Sequence, residues 1–377
     1  MEQQMTGTID EGASRSARSP SAIGKTPLKV DLRSDTVTLP TPEMLGAMTR
    51  APLGDDMRER DPTVVELEAL AARMTGTEAG LFVTSGTMGN LVAMLAHTGR
   101  GGDVLVDPEA HLMRSEVSGV VHVAGLFPRH YPVHRGFPVL DGFSGMLRPQ
   151  ATRSSLATAL VCIETSHNNA GGTVMPLKDM AELHAMTKAA GVPVHIDGAR
   201  LFNAAVSLGV PASEIVRHAD SVTFCISKGL SAPFGSLVCG SAGFIERARL
   251  FRRMIGGAMR QGGVVAAAGV VALTSMVERL ADDHRRAQII ARGLHELDAR
   301  LVDPAEVETN IVMADIGHTP LTVNDWIQRL AARDIDVRSY GRTRLRMVTH
   351  RHIDDDAAHA VVAGFRHVLE AARAEAS

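Results

Sequence analysis

One lysine and one aspartate in the sequence stand where they could do chemistry together. Lys228 follows residues 222–227, which alternate between apolar and polar side chains, the period-two pattern of a strand with one buried face. A buried lysine is costly while it stays charged and unpaired, so Lys228 is a candidate nucleophilic amine. Asp197 ends a second apolar run, residues 194–197. The pattern predicts a site with an amine and a carboxylate at neighbouring strand ends.

Pyridoxal phosphate requires both of these groups from a protein. An amine condenses with its aldehyde, and a carboxylate holds its ring nitrogen protonated. A Ser-Lys-Gly sequence on its own is more often a solvated loop. The second strand, which ends in Asp197-Gly198-Ala199-Arg200, favours the interpretation as a cofactor site.

The sequence pattern predicts that alternating strands and helices position these residues. Polar clusters follow the apolar strand patterns at residues 85–87, 164–168, 197–200 and 227–228. Helical periodicity separates them, as in residues 62–75, with Asp61 as N-cap and Gly76 as stop. The glycine-rich turn 84–90 precedes a helix predicted over 91–97 and could bind a phosphate. This order predicts an α/β fold whose large, mostly parallel sheet gathers ligands at its carboxyl edge.

Three segments differ in composition. Residues 1–27 are polar and rich in Ser, Thr, Arg and Gly, which predicts a disordered tail. Residues 28–277 carry the alternating pattern of a large cofactor-binding domain. Residues 278–377 begin with a charged helix and continue with strand patterns at 310–313 and 345–348 and an amphipathic C-terminal helix. They predict a smaller α/β domain.

The overall composition excludes several classes of protein. The 377 residues have a net charge of -3 and 3% aromatic residues, which argues against a nucleic-acid binder. The uncharged run 261–277 is better explained as a buried helix than as a membrane span. Cys162, Cys225 and Cys239 lie in apolar runs and predict reduced core residues of a cytoplasmic protein. We find no metal-ligand spacing of Cys and His residues, so no metal is predicted.

The motifs along the chain resemble those of a known family. They are DLRSDTVT (31–38), GDD (54–56), DPTV (61–64), SGT (85–87), HIDGARLFNA (195–204), SKGL (227–230), MRQ (259–261) and VTH (348–350). Together they resemble the low-specificity L-threonine aldolases of the β-eliminating lyase/threonine aldolase family. These are pyridoxal phosphate enzymes with the aspartate aminotransferase fold, called fold type I. The resemblance extends from Val30 to the C-terminus.

The resemblance implies a role for each matching residue. Lys228 matches the lysine that bonds to the cofactor, and Asp197 matches the partner of the ring nitrogen. His111 matches the imidazole stacked on the ring. The remaining matches are Gly86 and Thr87 in the phosphate cradle, Ser34, Arg200 and Arg346 at the substrate carboxylate, His167 near the β-hydroxyl and as candidate base, and Arg260 near the phosphate, from a neighbouring subunit. From the residues alone, His167 could instead cap a strand, and Arg346 and Arg260 could be surface charges.

The implied activity is a carbon–carbon lyase reaction, the retro-aldol cleavage of L-threonine or L-allo-threonine to glycine and acetaldehyde. The implied assembly is a homo-oligomer, a dimer or a homotetramer, with shared active sites. A related fold type I lyase acting by β-elimination is the alternative, and it would release pyruvate and ammonia. Arg58 and Ser115 stand where the family commonly has aromatic residues, so we expect an altered choice of side chain. A non-catalytic scaffold would have no need of Lys228 and Asp197.

Overall fold

The computed structural model describes residues 29–99 and 101–376. The tail predicted over 1–27 lies outside the described residues. The strands are β1 (Val30–Asp31), β2 (Ala79–Val83), β3 (Asp103–Val106), β4 (Phe127–His130), β5 (Val133–His134), β6 (Phe137–Pro138), β7 (Thr158–Glu164), β8 (Val194–Asp197), β9 (Ser221–Cys225), β10 (Ser236–Gly240), β11 (Ile311–Asp315), β12 (Ile335–Asp336), β13 (Arg338–Tyr340) and β14 (Arg344–Val348).

The helices follow the same order. They are α1 (Pro42–Arg50), α2 (Pro62–Thr75), α3 (Gly86–His97), α4 (His111–Arg114), α5 (Gly119–His122), α6 (Leu177–Ala189), α7 (Leu201–Leu208), α8 (Ala212–Val216), α9 (Ala242–Met254), α10 (Gly263–Ser275), α11 (Leu280–Leu297), α12 (Val323–Ala331) and α13 (Asp355–Ala376). Short 3-10 helices lie at Asp35–Val37, Phe143–Met146 and Pro304–Glu306.

A seven-stranded sheet forms the centre of the molecule. Its order is β2-β10-β9-β8-β7-β3-β4. The pairs from β9 to β4 are parallel, whereas β10 runs antiparallel to both β2 and β9. Every residue of β8, β9 and β10 is buried, as expected for a sheet covered by helices on both faces. The predicted α/β fold with a large, mostly parallel sheet is confirmed, with one antiparallel strand inside it.

The C-terminal part has its own sheet and its own apolar cluster. Strands β11, β14 and β13 form an antiparallel sheet, and β1 pairs with β12 in parallel. Trp326 of α12 packs on Phe365 of α13 with ring centroids 5.1 Å apart. Leu32 joins this cluster although it lies near the start of the described chain. The division at 277/278 stays a prediction.

Local capping explains where two important helices begin and end. The Asp61 carboxylate accepts the N–H groups of Thr63 and Val64 at the start of α2, and Gly76 ends that helix with φ of 68°. Helix α3 begins at Gly86, five residues earlier than predicted. The reason is that the Ser85 side chain accepts the N–H of Met88 and caps the helix there.

Helix α10 packs against α1 and α2. One face contributes buried small and apolar residues to the main hydrophobic cluster, so the helix predicted within 261–277 is confirmed and buried on that face, while Val264, Thr274 and Ser275 are exposed. Among the described helices, none taken singly has the length and apolarity of a membrane span, and α10 with α11, bent by 68°, reaches them only as a pair. The three cysteines are buried and unpaired, as predicted.

Candidate active site

The carboxyl ends of β7, β8 and β9 open into a cavity of about 510 Å³. The hairpin β13–β14 from the C-terminal sheet closes its other side. Five of the residues predicted from the sequence line this cavity: Ser34, His111, Arg200, Lys228 and Arg346. They come from five separate segments of the chain. The fold therefore brings five of the ten site residues that the sequence singled out to the lining of one cavity.

Lys228 lies three residues beyond the end of β9 and is partly buried on the cavity wall. Its backbone carbonyl accepts hydrogen bonds from the Thr38 hydroxyl at 2.8 Å and from the Ser231 N–H at 2.9 Å. These bonds fix the backbone of the turn. The ammonium itself has no ion-pair partner among the described residues. The amine is therefore held at the cavity without a permanent partner.

Asp197, the last residue of β8, lies behind the cavity and is 2% exposed. Its carboxylate accepts hydrogen bonds from the Asn90 amide at 2.9 Å and from the Ala199 N–H at 3.1 Å. Burial, followed by the carboxylates of Glu164 and Glu116, raises the pKa of Asp197 to about 6. A cationic N–H next to this carboxylate would stabilise its ionised form and lower its pKa again.

Glu116 connects Asp197 to His111. The Asn90 amide donates to Glu116 at 3.0 Å as well as to Asp197, and His111 Nδ1 lies 2.8 Å from the same Glu116 oxygen. The hydrogen bond to Glu116 raises the pKa of His111. Ligand atoms of His111, Glu116 and Asp197 lie within 4.8 Å of one another, close enough for a metal. Because Asn90 donates to both carboxylates, hydrogen bonds already account for this cluster.

A chain of hydrogen bonds runs from Asn90 of α3 through β8 and β9 and returns to His97 of the same helix. The Asn90 carbonyl lies 3.2 Å from His195 Nε2, His195 Nδ1 lies 2.8 Å from Ser221 Oγ, and Ser221 Oγ lies 2.6 Å from His97 Nε2. Burial lowers the pKa of His195 to about 3 and that of His97 to about 4. Both histidines are therefore neutral at pH 7, and each ring has one N–H donor and one acceptor nitrogen. All hydrogen bonds in the chain can then be donated in the same direction along it. In that direction the Asn90 amide donates towards Asp197.

Arg200 is fixed by a buried carboxylate. Its Nε and Nη2 each donate to Asp35 at 2.7 Å, a bidentate pair in which Asp35 is fully buried. Burial of Asp35 opposes the ionisation of its carboxyl group. The charge and hydrogen bonds of Arg200 outweigh that effect and hold the pKa of Asp35 well below its usual range. Ser34, the N-cap of the short helix that carries Asp35, lines the cavity beside it. The pair keeps Arg200 charged and oriented.

Arg346 of β14 is the second guanidinium in the cavity and is 4% exposed. It donates to the Asn168 side-chain oxygen at 2.6 Å and to the Arg33 carbonyl at 3.3 Å. Its Nε has no partner, and no carboxylate pairs with it among the described residues. Burial, and then the charge of Arg200, lowers the pKa of Arg346 to about 9. A carboxylate entering the cavity would supply the missing charge.

Asn168 and Glu164 organise this region, although neither was assigned a role from the sequence. The Asn168 side-chain oxygen accepts from Arg200 at 3.0 Å as well as from Arg346. Glu164, at the end of β7, accepts the N–H of His111 at 2.7 Å and the N–H of Asn168 at 2.8 Å. It therefore ties two loops to one strand. The only sequence signal was their membership in the polar cluster 164–168.

His167 does not line the cavity. Its side chain is fully buried, with Nε2 2.9 Å from an Asp107 oxygen, off the direction of an aligned hydrogen bond, and with Nδ1 accepting the Ala170 N–H at 3.1 Å. Burial alone would lower its pKa, but Glu164 and then Asp107 outweigh that effect, so the pKa of His167 is raised. Its assignment as the base stays a prediction.

Gly86, Thr87 and Arg260 also lie outside the cavity lining. Gly86 and Thr87 form the first turn of α3, where backbone N–H groups lack intrahelical acceptors. A Cβ added at Gly86 would lie 2.9 Å from Cys225 Sγ, so the close approach of α3 to β9 requires glycine there. Arg260 is exposed, with Nη1 3.5 Å from Asp55.

The two predicted departures lie in different places. Ser115 lines the cavity, next to Arg114. Arg58 is 85% exposed at its side chain and lies 3.9 Å from Asp55, away from the cavity of this chain.

The chain matches the family model described as "Beta-eliminating lyase" over residues 31–317. It is 40% identical over 344 residues to the probable low-specificity L-threonine aldolase 2 of Arabidopsis thaliana, covering 90% of this chain and 97% of the relative. It is 37% identical over 341 residues to the low specificity L-threonine aldolase of Escherichia coli K12, covering 90% and 99%.

Solved structures share the fold at lower identity. The threonine aldolase of Leishmania major has a TM-score of 0.77 and 20% identity, with 90% of this chain and 99% of that chain covered. A structure described as SPT with PLP has a TM-score of 0.70 and 18% identity, covering 92% and 89%. The strand-end lysine, the aspartate and the paired arginines thus occur in a chain that matches one family over most of its length. The chain belongs to the β-eliminating lyase family, among relatives named as low-specificity L-threonine aldolases.

Proposed function

We propose that the protein is a pyridoxal phosphate-dependent lyase that cleaves L-threonine or L-allo-threonine into glycine and acetaldehyde. The observation that carries the proposal is the pair Arg200 and Arg346 beside Lys228. Asp35 compensates Arg200, whereas Arg346 is buried without a carboxylate partner among the described residues. Such a site favours the α-carboxylate of an amino acid next to a reactive amine. The named relatives support the same activity.

The residues present fit pyridoxal phosphate. Within the described part of the chain, Lys228 offers an amine without an ion-pair partner, and Asp197 offers a buried carboxylate without a cation in salt-bridge contact. Gly86 and Thr87 offer backbone N–H groups at a helix start, where a phosphate is favoured. His111 would lie against the ring. When bound, the cofactor supplies an electron sink that makes cleavage of a bond at Cα possible.

The side chains determine which bond breaks. Arg200 and Arg346 would bind the α-carboxylate and so orient the substrate about Cα, because two fixed guanidiniums restrict the rotation of the bound carboxylate. Asn168 holds both guanidiniums in place through one oxygen. The β-hydroxyl must lose its proton as Cα–Cβ breaks, and we assign that proton transfer to His167. Because His167 is outside the cavity lining, this assignment requires a rearrangement of its loop or an intervening water.

The products distinguish the proposed function from β-elimination. Purified protein incubated with pyridoxal phosphate and L-threonine should release acetaldehyde and glycine in equal amounts. Elimination from the same substrate would release 2-oxobutanoate and ammonia instead. A panel of β-hydroxy amino acids then gives the preferred side chain. Absence of both product pairs would contradict the proposed function.

We further propose a homo-oligomer, a dimer or a homotetramer, with active sites shared between subunits. Leu39, Leu45 and Leu53 are exposed on and around α1, a concentration of apolar surface that favours burial against another copy. Arg260 and Arg58 lie in the neighbouring loops and would reach a partner's site rather than their own. A cytoplasmic location is also proposed, since the buried, unpaired cysteines suit a reducing compartment. Cell fractionation would test the location.

A further inference from the structure

The outer part of the cavity carries more positive charge than threonine requires. Arg114, Arg338 and Arg344 line it in addition to the residues already described. Glu109 is the single acidic residue among the described lining residues, and its carboxylate lies 3.6 Å from Arg114 Nε. Arg338 and Arg344 have no carboxylate partner among the described residues. Two exposed guanidiniums without a carboxylate partner among the described residues therefore line the cavity in addition to Arg200 and Arg346.

Strand pairing places these charges on one face. In the hairpin β13–β14, Arg338 lies directly opposite Arg346, and Tyr340 lies directly opposite Arg344. Residues two apart on a strand share a face, as do directly opposite residues, so all four side chains lie on the same side of the hairpin. That side faces the cavity. Like charges directly opposite each other destabilise a sheet, so the arrangement has a cost that a bound anion would remove.

Tyr340 helps to hold the second guanidinium at the wall. The Arg344 guanidinium carbon lies 4.8 Å from the centre of the Tyr340 ring, a cation–π contact. The Tyr340 hydroxyl in turn lies 3.5 Å from Glu109. Ser115, where the family commonly has an aromatic residue, adds a small polar side chain to the lining next to Arg114. The outer cavity is thus built from polar and cationic groups, which do not favour a methyl group.

We propose that the preferred substrate is a β-hydroxy-α-amino acid whose side chain ends in an anionic group, a carboxylate or a phosphate, held by Arg338 and Arg344. This inference rests on the proposed function, because Arg200 and Arg346 must hold the α-carboxylate of the same molecule. With β-hydroxyaspartate, the Cα–Cβ bond breaks and the β-hydroxyl loses its proton to become the aldehyde of glyoxylate. Cα takes up a proton and leaves as glycine, so no oxidant or reductant is needed.

A binding comparison tests the inference without relying on cleavage. L-Aspartate and L-asparagine have no β-hydroxyl and differ in one charge, and calorimetry on the cofactor-loaded protein gives the affinity of each. We expect L-aspartate to bind about 10- to 100-fold more tightly, the factor expected from one charge-assisted hydrogen bond. L-2-Amino-3-phosphonopropanoate, which has neither a β-hydroxyl nor a leaving group, against L-asparagine forms the second arm. A larger ratio in that arm identifies the anion as a phosphate, and a larger ratio for L-aspartate identifies it as a carboxylate.

Variants locate the preference on the hairpin. The double variant Arg338→Gln/Arg344→Gln should bring both ratios close to one, because both uncompensated charges are gone. Arg333→Gln removes an exposed arginine of the same C-terminal part that does not line the cavity, and it should leave both ratios unchanged. Raising the salt concentration should reduce the ratios in the unmodified protein.

Two results would overturn the inference. One is equal affinity within each charged and neutral pair. The other is a preference that persists undiminished in Arg338→Gln/Arg344→Gln. The failure of the proposed function has a different signature, since it would appear as the absence of aldehyde from every β-hydroxy amino acid whatever the binding ratios.

Discussion

At the scale of single residues, Arg346 is a buried cation that has no carboxylate partner among the described residues. It lies close to Arg200, its Nε finds no hydrogen-bond partner in the described part of the chain, and an amide oxygen accepts from it. An uncompensated buried charge costs stability, and a substrate carboxylate would remove that cost. Function and stability should therefore respond in opposite directions when this residue is changed.

Arg346→Gln tests whether activity and stability change in opposite directions. We expect kcat/KM for L-threonine to fall about 10- to 100-fold, the effect of losing a charged hydrogen bond to the α-carboxylate. The free energy of unfolding of the cofactor-free protein, measured in urea, should stay the same or rise, because a buried cation is removed. Arg333→Gln is the matched control and should change neither quantity. A large loss of stability in Arg346→Gln would contradict this account.

His167 requires a variant that preserves folding. His167→Phe would place an apolar ring beside the buried Asp107 Oδ2, although Asp107 Oδ1 would still accept the Glu109 N–H. His167→Gln keeps a polar side chain that can donate to Oδ2. If His167 is the base, His167→Gln should lower kcat by about 100- to 10,000-fold while glycine binding persists. Because the pKa of His167 is raised, the rate should increase with pH as the imidazole loses its proton, and the variant should lose that dependence. A change confined to the threo/erythro preference would instead assign His167 to orienting the hydroxyl.

The sequence predicted individual site residues better than the residues that hold them in position through hydrogen bonds. Lys228 and Asp197 end apolar strand patterns, and a polar residue in that position is visible locally. Asn168, Glu164 and Asn90 act by joining segments that are distant in sequence, and their local patterns carry no sign of this. The sequence alone did not show whether Arg346 is exposed or buried, because its burial depends on contacts with segments that are distant in sequence.

At the scale of elements, the site depends on the contact between α3 and the central sheet. Helix α3 carries Asn90 towards Asp197 and His97 towards Ser221, so one helix aligns both ends of the hydrogen-bond chain. The early start of α3 places Gly86 against β9. The antiparallel direction of β10 could not be predicted, because the apolar run 237–239 has the same pattern in either direction.

The hydrogen-bond chain predicts acid sensitivity. His97 has a pKa of about 4 in the folded protein, lowered by burial, against about 6.5 when unfolded. Its contribution to stability is complete above pH 6.5 and is lost as the pH falls towards 4, because the unfolded chain takes up the proton first. The loss reaches about 2 kcal/mol at pH 5.

His97→Gln should reduce the dependence of stability on pH between 6.5 and 4 without abolishing it, because burial also lowers the pKa of His195 to about 3 and that of His284 to about 4. Urea denaturation of the cofactor-free protein at pH 7.5, 6 and 5 measures this dependence. His122, an exposed histidine of α5, provides the control variant His122→Gln, which should leave the slope as it is. An unchanged slope in His97→Gln would show that its imidazole is not the group responsible.

At the scale of the whole molecule, the cavity is assembled from the part of the chain that contains the central sheet and from the C-terminal part. Lys228 and His111 come from the part built on the central sheet, whereas Arg346 comes from the C-terminal sheet. Neither part could hold cofactor and amino acid alone. The fold class was predictable because strands and helices alternate along the chain, while the closing of one part on the other is a property of packing.

Shared sites are tested by mixing two inactive variants. Lys228→Ala lacks the amine, and Arg260→Ala lacks the guanidinium that we propose reaches a partner's phosphate site. Mixed subunits, after dissociation and reassociation, should recover part of the activity, because some sites then receive both groups from intact copies. Each variant treated alone is the control. An active species that sediments strictly as a monomer would refute shared sites.

The central claim is that Lys228 is the amine that bonds to pyridoxal phosphate, and one measurement addresses it directly. The loaded protein is reduced with borohydride, digested, and analysed by mass spectrometry for a peptide carrying the cofactor. We expect a single modified residue, Lys228, and a Lys228→Ala protein with neither covalent cofactor nor aldehyde release from L-threonine. Modification of a different lysine, or full turnover in Lys228→Ala, would contradict it.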